Sequence, residues 1–577
     1  AYLFAALIVL PGAISKSELS SAMPSSGGSY VYIESTFGPL VGTISGLGLW
    51  ANFMLKSAFA LIGFKAYLWV IEGILGISIN LNYAVMALLV AIVVINIMGV
   101  KRIKKVQTPI VLVSVIYLLL ICFWALITMD LNWDVAFSRD AFGPDWQSFS
   151  STAALVFVSY AGVTKIAAIA GEVKNPSKNI PLAMMLSLLI ISAVYVSITY
   201  TLVGNVPLAE LGNDIKPIHT LALILGGPNF AYIIAGIGVI TLISMANSGV
   251  LASSRFPFAM AIDKLLPKQM SKVHQKHLTP INTIILTCLM MALVILFLDV
   301  EKIAKLASAF KVSMFILVNI CVIVLRETAV QWYAPKYKSP AYPYVQLFGV
   351  LSGFILLFYL GMMPLIAILA ISIIGCIIYF TYGIKASRTG VLKRYGHMPA
   401  SYLLFGKKRN YTHLKELEDK ERDELVHVNI DKDAGVIVPL LGNEVSPETL
   451  IELGASLNNK EKIQTLNITE VPDQTSLDIF REKRPKTKSL ERMVKTLSNR
   501  MKLKINFESI ATHKLSETMQ ALSEVTNIDW LILGWNGRAY NGIFFNNPIG
   551  WIVSNINSNF ALFKCNGVMR FNSVLLA

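Results

Sequence analysis

The stretch from Phe157 to Pro181, FVSYAGVTKIAAIAGEVKNPSKNIP, carries Ser159, Tyr160, Ala161 and Gly162 through the middle of an apolar run. In hydrocarbon every backbone amide needs a partner, so a weak helix former at mid-span is tolerated only where protein or a water-lined cavity surrounds the opened backbone. Such an interruption turns carbonyls and half-helix ends toward a polar passenger. Phe157, Ser159, Tyr160, Ala161, Gly162 and Val163 are therefore candidate solute-binding residues, and on the residues alone a mere packing kink stands level with that reading, because Gly is common in membrane helices. Lys56, Lys165 and Lys311 also stand inside apolar runs. Ionisable residues at membrane depth are costly and mark functional sites by default. For Lys56 and Lys165, pairing with a solute carboxylate or titration during coupling stands level with snorkelling to a cavity edge. For Lys311, which opens its run, snorkelling is the expectation. Ser244, Asn247 and Ser248, in the polar stretch ISMANSGV, are expected either to contact solute or a coupling ion or to tie helices together.

Elsewhere the reactive residues offer little chemistry. His274 and His277 lie in a basic segment without carboxylate or thiol partners, and neither a nucleophile elbow nor a phosphate-binding Walker loop occurs. Cys122, Cys288, Cys321, Cys376 and Cys565 show no paired spacing, which argues against a disulfide framework and a zinc site and leaves them as packing residues. No enzyme and no metal centre is expected. Gly38, Gly42 and Gly46 recur every four residues and predict close approach of a neighbouring helix.

The elements that must position these residues follow from composition. Over 577 residues, 55% are hydrophobic and 15% charged, with mean hydropathy +0.60, which describes a polytopic membrane protein. A net charge of +15 would point to nucleic acid in a soluble chain, but here Lys and Arg gather in the short segments between apolar runs, so the partner is the lipid bilayer. A window of about 19 residues finds about eleven spans. Their cores are 1–17, 38–70, 82–99, 108–129, 150–170, 180–204, 230–254, 281–298, 308–325, 345–360 and 362–383. Lys101, Arg102, Lys104 and Lys105 fill one connecting segment, and Asp130, Asp134, Asp140 and Asp145 with Arg139 fill the next, making the first cytoplasmic and the second external. Lys174 and Lys178, then Arg255, Lys264, Lys268, Lys272 and Lys276, then Arg326, Lys336 and Lys338 continue the cytoplasmic side, and the tail follows them. Ala1 then falls outside, in an apolar run with no initiator Met, and a preceding span is expected to be missing. Segment 384–434 is a charged linker whose KELEDKERDE run reads as a solvated helix. From 435 to 577, short β-rich runs (GVIVPLL at 435, KIQTLNI at 462, LKINFES at 503, DWLILGW at 529, NFALFKC at 559) alternate with helical segments such as 447–457 and 490–501. That alternation predicts a small α/β domain with a mainly parallel sheet.

Ser17-Glu18-Leu19-Ser20, followed by MPSSGGSYVY from Met23 to Tyr32, Phe37-Gly38 and Trp50, resembles the segment joining the second and third spans of the amino acid, polyamine and organocation (APC) transporter superfamily. The stretch from Phe157 to Pro181 resembles its sixth span and exit loop. SRFPFAMA from Ser254, running on through Asp263-Lys264-Leu265-Leu266-Pro267 to Thr279-Pro280, resembles the loop after its eighth span. The resemblance covers most of residues 1–385. It implies twelve spans in which the first five and next five form inverted repeats, with solute held midway by broken first and sixth helices. It further implies a secondary active transporter, a permease moving an amino acid or related amine across the cell membrane by alternating access, with Tyr160 as an aromatic lid. By that register the absent span is the first, and with it half of the solute cradle. Aligning Gly99 to Gln107 with the fifth span brings Ser114 to a place where several of these permeases carry a Lys whose ammonium substitutes for sodium. The hydroxyl there puts simple proton coupling through this position in doubt and leaves sodium coupling, exchange or proton coupling through another group open. Cation-chloride cotransporters resemble the same plan, so ion transport is the alternative function, and a transporter-like sensor is a third.

The tail resembles a universal stress protein domain through Val436-Ile437-Val438-Pro439-Leu440 and Asp529-Trp530-Leu531-Ile532-Leu533-Gly534. Nucleotide-binding members carry Asp after the first strand and a glycine pattern that cradles phosphates. Here Leu441 takes the Asp position. Gly534 and Gly537 keep the first half of the pattern, and Gly550 comes late and is followed by Trp551. A regulatory or dimerising module that has lost its nucleotide is expected, with ATP unlikely and a homodimer through the tail one outcome. No cofactor is implied beyond a coupling sodium ion or proton.

Overall fold

The computed structural model describes residues 1–24, 28–75, 80–98, 103–128, 146–168, 170–212, 214–274, 279–385, 388–392, 430–431, 434–442, 444–457, 462–473, 475, 477, 485–525, 528–535, 547–556 and 558–565. The chain divides into two compact units, one made of Ala1–Glu34, Pro39–Ile323 and Pro335–Ala386, the other of Ser35–Gly38, Val324–Ala334 and Ser387–Ala577. The charged segments at 99–102 and 129–145, most of the linker, His277 and Gly537 lie outside the described residues.

The first unit is built of helices: α1 (Tyr2–Ala22), α2 (Ser29–Phe37), α3 (Pro39–Leu75), α4 (Leu81–Met98), α5 (Ile103–Thr128), α6 (Trp146–Val156), α7 (Pro176–Asn205), α8 (Pro217–Ile262), α9 (Ile281–Phe297), α10 (Val300–Thr328), α11 (Tyr344–Tyr359) and α12 (Met362–Thr381). Among the described residues, eight helices are long and apolar enough to cross a membrane, and α9 and α11 are shorter apolar helices. The α8 helix bends at Gly227, whose φ of 72° places it in the left-handed region that glycine alone adopts without strain, just ahead of Pro228.

Lipid tails are as apolar as Leu, so these helices associate through close packing and polar cross-links rather than burial from water. Asn52 Nδ2 on α3 donates to Ala307 O on α10 at 2.6 Å, Ser15 Oγ on α1 donates to Asn319 Oδ1 on α10 at 2.7 Å, and Trp50 Nε1 on α3 donates to Thr287 Oγ1 on α9 at 3.0 Å. The α3–α8 crossing is tight because Gly249 lies directly on Ser57. Gly42 and Gly46 serve different neighbours instead of one groove. The first faces Glu34 on α2 and the second Met260 on α8, while Gly38, at φ +91°, turns α2 into α3.

The second unit holds β1 (Val436–Leu440), α13 (Pro447–Leu457), β2 (Lys462–Glu470), α14 (Pro485–Met501), β3 (Lys504–Thr512), α15 (Leu515–Val525), β4 (Trp530–Gly534), α16 (Pro548–Asn555) and β5 (Asn559–Phe563). The five strands run parallel in the order β3-β2-β1-β4-β5. Alternation along each strand feeds two faces. Val436, Val438 and Leu440 pack with Leu450 and Ile451 of α13 and Val494 and Leu497 of α14. Ile437, Leu466 and Leu531 pack with Leu515, Met519 and Leu522 of α15 and Ile552 of α16. Because both faces are covered, the central strand is apolar throughout. The order of strand connection reverses between β1 and β4, the point at which open α/β sheets form a crevice.

Candidate functional site

The α-helical ladder of α6 stops at Val156. A 3-10 turn follows over Phe157–Gly162, then shorter ones over Lys165–Ala168 and Ala170–Glu172, and Asn175 in the left-handed region (φ 48°) leads into Pro176, the first residue of α7. The span that begins with α6 is thus interrupted where Ser159 to Gly162 stand. The interruption stays coiled instead of opening into bare amides. Val163 N donates to Tyr160 O at 3.1 Å, the three-residue spacing of 3-10 geometry. That narrower coil stacks side chains three residues apart and marks a helix under strain or poised to move.

Around this segment the side chains are sharply partitioned. Phe157 is buried and sets its ring edge against Phe315 of α10, centroids 5.5 Å apart. Tyr160 is fully buried, donates from its hydroxyl to Tyr2 O at 3.1 Å, and lies edge-on to Tyr2 and Tyr195 at 6.5 and 5.4 Å. Packed between the rings of Tyr2 and Tyr195, it forms a wall of the core in this arrangement. Tyr195 OH on α7 donates to Ser159 O at 3.2 Å. Val163 is buried, and Ala161 lies within the 3-10 turn. Gly162 is exposed, and a Cβ built on it would meet nothing within 4 Å. The interruption therefore has one packed flank and one open flank.

Lys165, just past the interruption, donates from Nζ to Ser248 O at 3.1 Å and Ser248 Oγ at 3.3 Å, joining the interrupted span to α8. Lys56, half-buried on α3, lies within electrostatic reach of Lys165 and Lys311. The remaining candidates point elsewhere. Asn247 Oδ1 accepts from Asn96 Nδ2 of α4 at 2.6 Å, and Ser114 Oγ of α5 donates to Ile110 O at 2.8 Å and meets Thr241 Oγ1 of α8 at 2.7 Å. Ser244 is half-buried on α8 one turn before Ser248.

Lys311 does not snorkel. The α10 helix begins at Val300, so Lys311 sits inside it and is 1% exposed. Its Nζ donates to Thr164 Oγ1 at 3.0 Å, and Lys16 Nζ, from α1, donates to the same oxygen at 3.2 Å. Both ammonium groups lie over the ring of Phe315, at 4.6 and 4.9 Å from its centroid. Among the described residues no carboxylate pairs with either lysine. Two full charges held on one oxygen, no more than about 6 Å apart, repel by at least about 3 kcal/mol at an effective dielectric of ~20. Lys16 escapes a reading by charge because it stands in the polar-looking ISKSELS at the end of the first run. The signal available was its place inside the 1–17 core, where Ser15, Lys16, Ser17 and Glu18 prove to be buried together.

In the second unit a cleft of about 220 Å³ opens beyond β1 and β4, lined by Leu441, Glu444, Gly534, Trp535, Asn547 and Pro548 among others. Among the described residues, three of its backbone amides are already engaged. Glu444 accepts from Leu441 N at 2.5 Å and Gly442 N at 2.7 Å, and Gly550 N donates to Asn547 Oδ1 at 2.8 Å as the cap of α16. Gly534 faces the Glu444 side chain. A carboxylate in the nest that would cradle phosphate opposes a nucleotide by both charge and occupancy.

Residues 1–390 match the family model described as amino acid permease. The chain is 30% identical over 406 residues to the branched-chain amino acid permease BcaP of Bacillus subtilis (strain 168), covering 67% of this chain and 86% of that one. It is 27% identical to the methylthioribose transporter of the same organism, over 67% and 86% of the two chains, and 26% identical to its serine/threonine exchanger SteT, over 62% and 81%. These relatives are amino acid and related transporters, not cation-chloride cotransporters, which overturns the ion-transport alternative.

Proposed function

The chain belongs to the amino acid permease family, a family of membrane transporters and not enzymes, and from that premise we propose that it moves a neutral, apolar amino acid such as leucine, isoleucine or valine across the cell membrane by alternating access. The observation that carries this reading is the interrupted sixth span, with Gly162 giving onto open space and Phe157, Tyr160 and Val163 forming an apolar wall behind it. Half-helix ends at such a break orient toward the charged groups of a bound amino acid, and the wall suits an apolar side chain. Lys165, with Lys56 nearby, biases the surroundings against a cationic side chain, since like charge at close quarters is an effective rejection device. Spans arranged as five-plus-five inverted repeats would rock about this point. The parallel α/β region is read as a cytoplasmic, universal stress protein-like regulatory module without nucleotide, through which two copies can pair.

The test is uptake of radiolabelled leucine, serine and arginine by the full chain in proteoliposomes, with counterflow at symmetric pH. Leucine counterflow competed by isoleucine and valine and not by arginine is the expected result. Counterflow of arginine in preference to leucine would refute the substrate class, and counterflow of no amino acid would refute the transport reading.

A further inference from the structure

Two lysines from different helices reach one hydroxyl on the interrupted span, and nothing in the solute site described above needs them. Lys16 and Lys311 are 2% and 1% exposed, and Thr164 is 3% exposed. Both Nζ atoms donate to Thr164 Oγ1. An ammonium has three donors and no acceptor, so two charged lysines that meet at one hydroxyl can only repel, whereas a neutral amine on one of them offers a lone pair. The face of Phe315 holds a cation in this place, and a single ring serves both nitrogens. Among the described residues the surroundings supply no second counter-charge. Lys56 approaches from α3, and Lys165 on the sixth span faces Arg255 of α8. The carboxylate of Glu18, on the helix of Lys16, accepts from Ser339 N at 2.6 Å, and the nearby α7 and α11 turn Met184, bonded to Ser17, and Gln346, bonded to Ser15, toward this part of α1. Three elements thus meet at a site built for one positive charge, and one of them is the span that is interrupted.

We propose that Lys16, Thr164 and Lys311 form a proton-coupling site, in which the closed arrangement holds one proton on the lysine pair and displacement of Thr164 with the interrupted span separates the nitrogens and admits a second. The proton enters on the external side onto the neutral amine and leaves to the cytoplasm when the site closes again, so that each cycle carries one proton with the solute and restores the pair. Coupling then requires no lysine at Ser114. The inference rests on the alternating-access reading, since Thr164 must move relative to α1 and α10.

The experiment compares native chain, Lys311→Met, Lys16→Met and Lys311→Arg in proteoliposomes, reading leucine counterflow at symmetric pH and leucine accumulation under an imposed inward proton gradient. The native chain should accumulate leucine with the gradient. Each Met variant should lose at least about tenfold of that accumulation while counterflow survives within about threefold, because exchange needs no net proton movement. Lys311→Arg should fail in the same way, because a guanidinium keeps the charge and cannot release the proton; rescue by Arg would mean a structural charge and would overturn the proposal. Gradient-driven accumulation equal to native in both Met variants would overturn it as well. Two converging ammoniums also suit chloride, and accumulation that follows chloride against gluconate, ignores the pH gradient and is lost in Lys311→Met would overturn proton coupling. Native counterflow without any gradient response sinks this inference alone, whereas no counterflow sinks the transport reading and the inference with it.

Discussion

Replacing Gly162 with Leu is the sharpest test of where the solute sits. A Cβ at this position meets nothing within 4 Å, and the residue does not need a left-handed backbone, so a Cβ there introduces neither clash nor backbone strain. Reduced freedom of the unfolded chain should stabilise the protein by about 0.4–1 kcal/mol. The same side chain projects into the open flank of the interruption, where the solute would lie. Forcing added carbons into an occupied site costs about 1–3 kcal/mol, and at the upper end of that range affinity falls by about 150-fold at 1.4 kcal/mol per decade. Gly162→Ala, with one carbon, should lose far less, so the series Ala, Val, Leu should give a graded rise in KM followed by loss of uptake. The assay pairs initial rates of leucine uptake with the melting temperature of the purified protein. A Leu variant that transports like the native chain would show that the open flank is not the solute's place. Loss of uptake together with a fall in melting temperature would show that the argument from open space was wrong.

Other consequences follow from the same geometry. Tyr160→Phe keeps the three-ring packing and removes the bond to Tyr2 O, so it should cost about 0.5–1.5 kcal/mol, whereas Tyr160→Ala opens a cavity and should cost about 3–5 kcal/mol, near the range for buried aromatic truncation; thermal unfolding of the two variants separates packing from hydrogen bonding. Asn247→Ala breaks the α4–α8 bond to Asn96 and should lower stability by about 0.6 kcal/mol and at most about 1.7, leaving leucine KM unchanged; a shift in KM would return Asn247 to the solute site. Glu444→Ala frees the amides of Leu441 and Gly442, so calorimetry should detect no ATP binding by the native full chain and weak binding by the variant. Tight binding by the native chain would contradict the carboxylate's role as occupant.

The sixth-span stretch was legible because weak helix formers inside an apolar run have few stable fates in lipid. Its form was not, because the choice between an extended break and 3-10 turns depends on neighbours such as Tyr195, which holds Ser159 O from α7. The tail was legible strand by strand, since five short β-rich runs alternating with helical segments favour a mainly parallel arrangement with crossovers. Strand order and the occupation of its cleft by Glu444 were set by long-range pairing. Lys311 shows the limit most clearly, because membership of an apolar run does not say whether an ammonium points to an edge or into a core.

By itself the sequence determined that this is a polytopic membrane protein, through the hydropathy and charge alternation that the bilayer imposes on every span; its resemblance to a permease family implied a transporter, and the sequence placed the interruption at Ser159 to Gly162. Only the tertiary structure decided which polar groups meet. Lys16 and Lys311, nearly three hundred positions apart in the chain, share one threonine oxygen because α1, α10 and the interrupted span converge there, and such convergence is a property of helix packing that no local pattern of residues encodes.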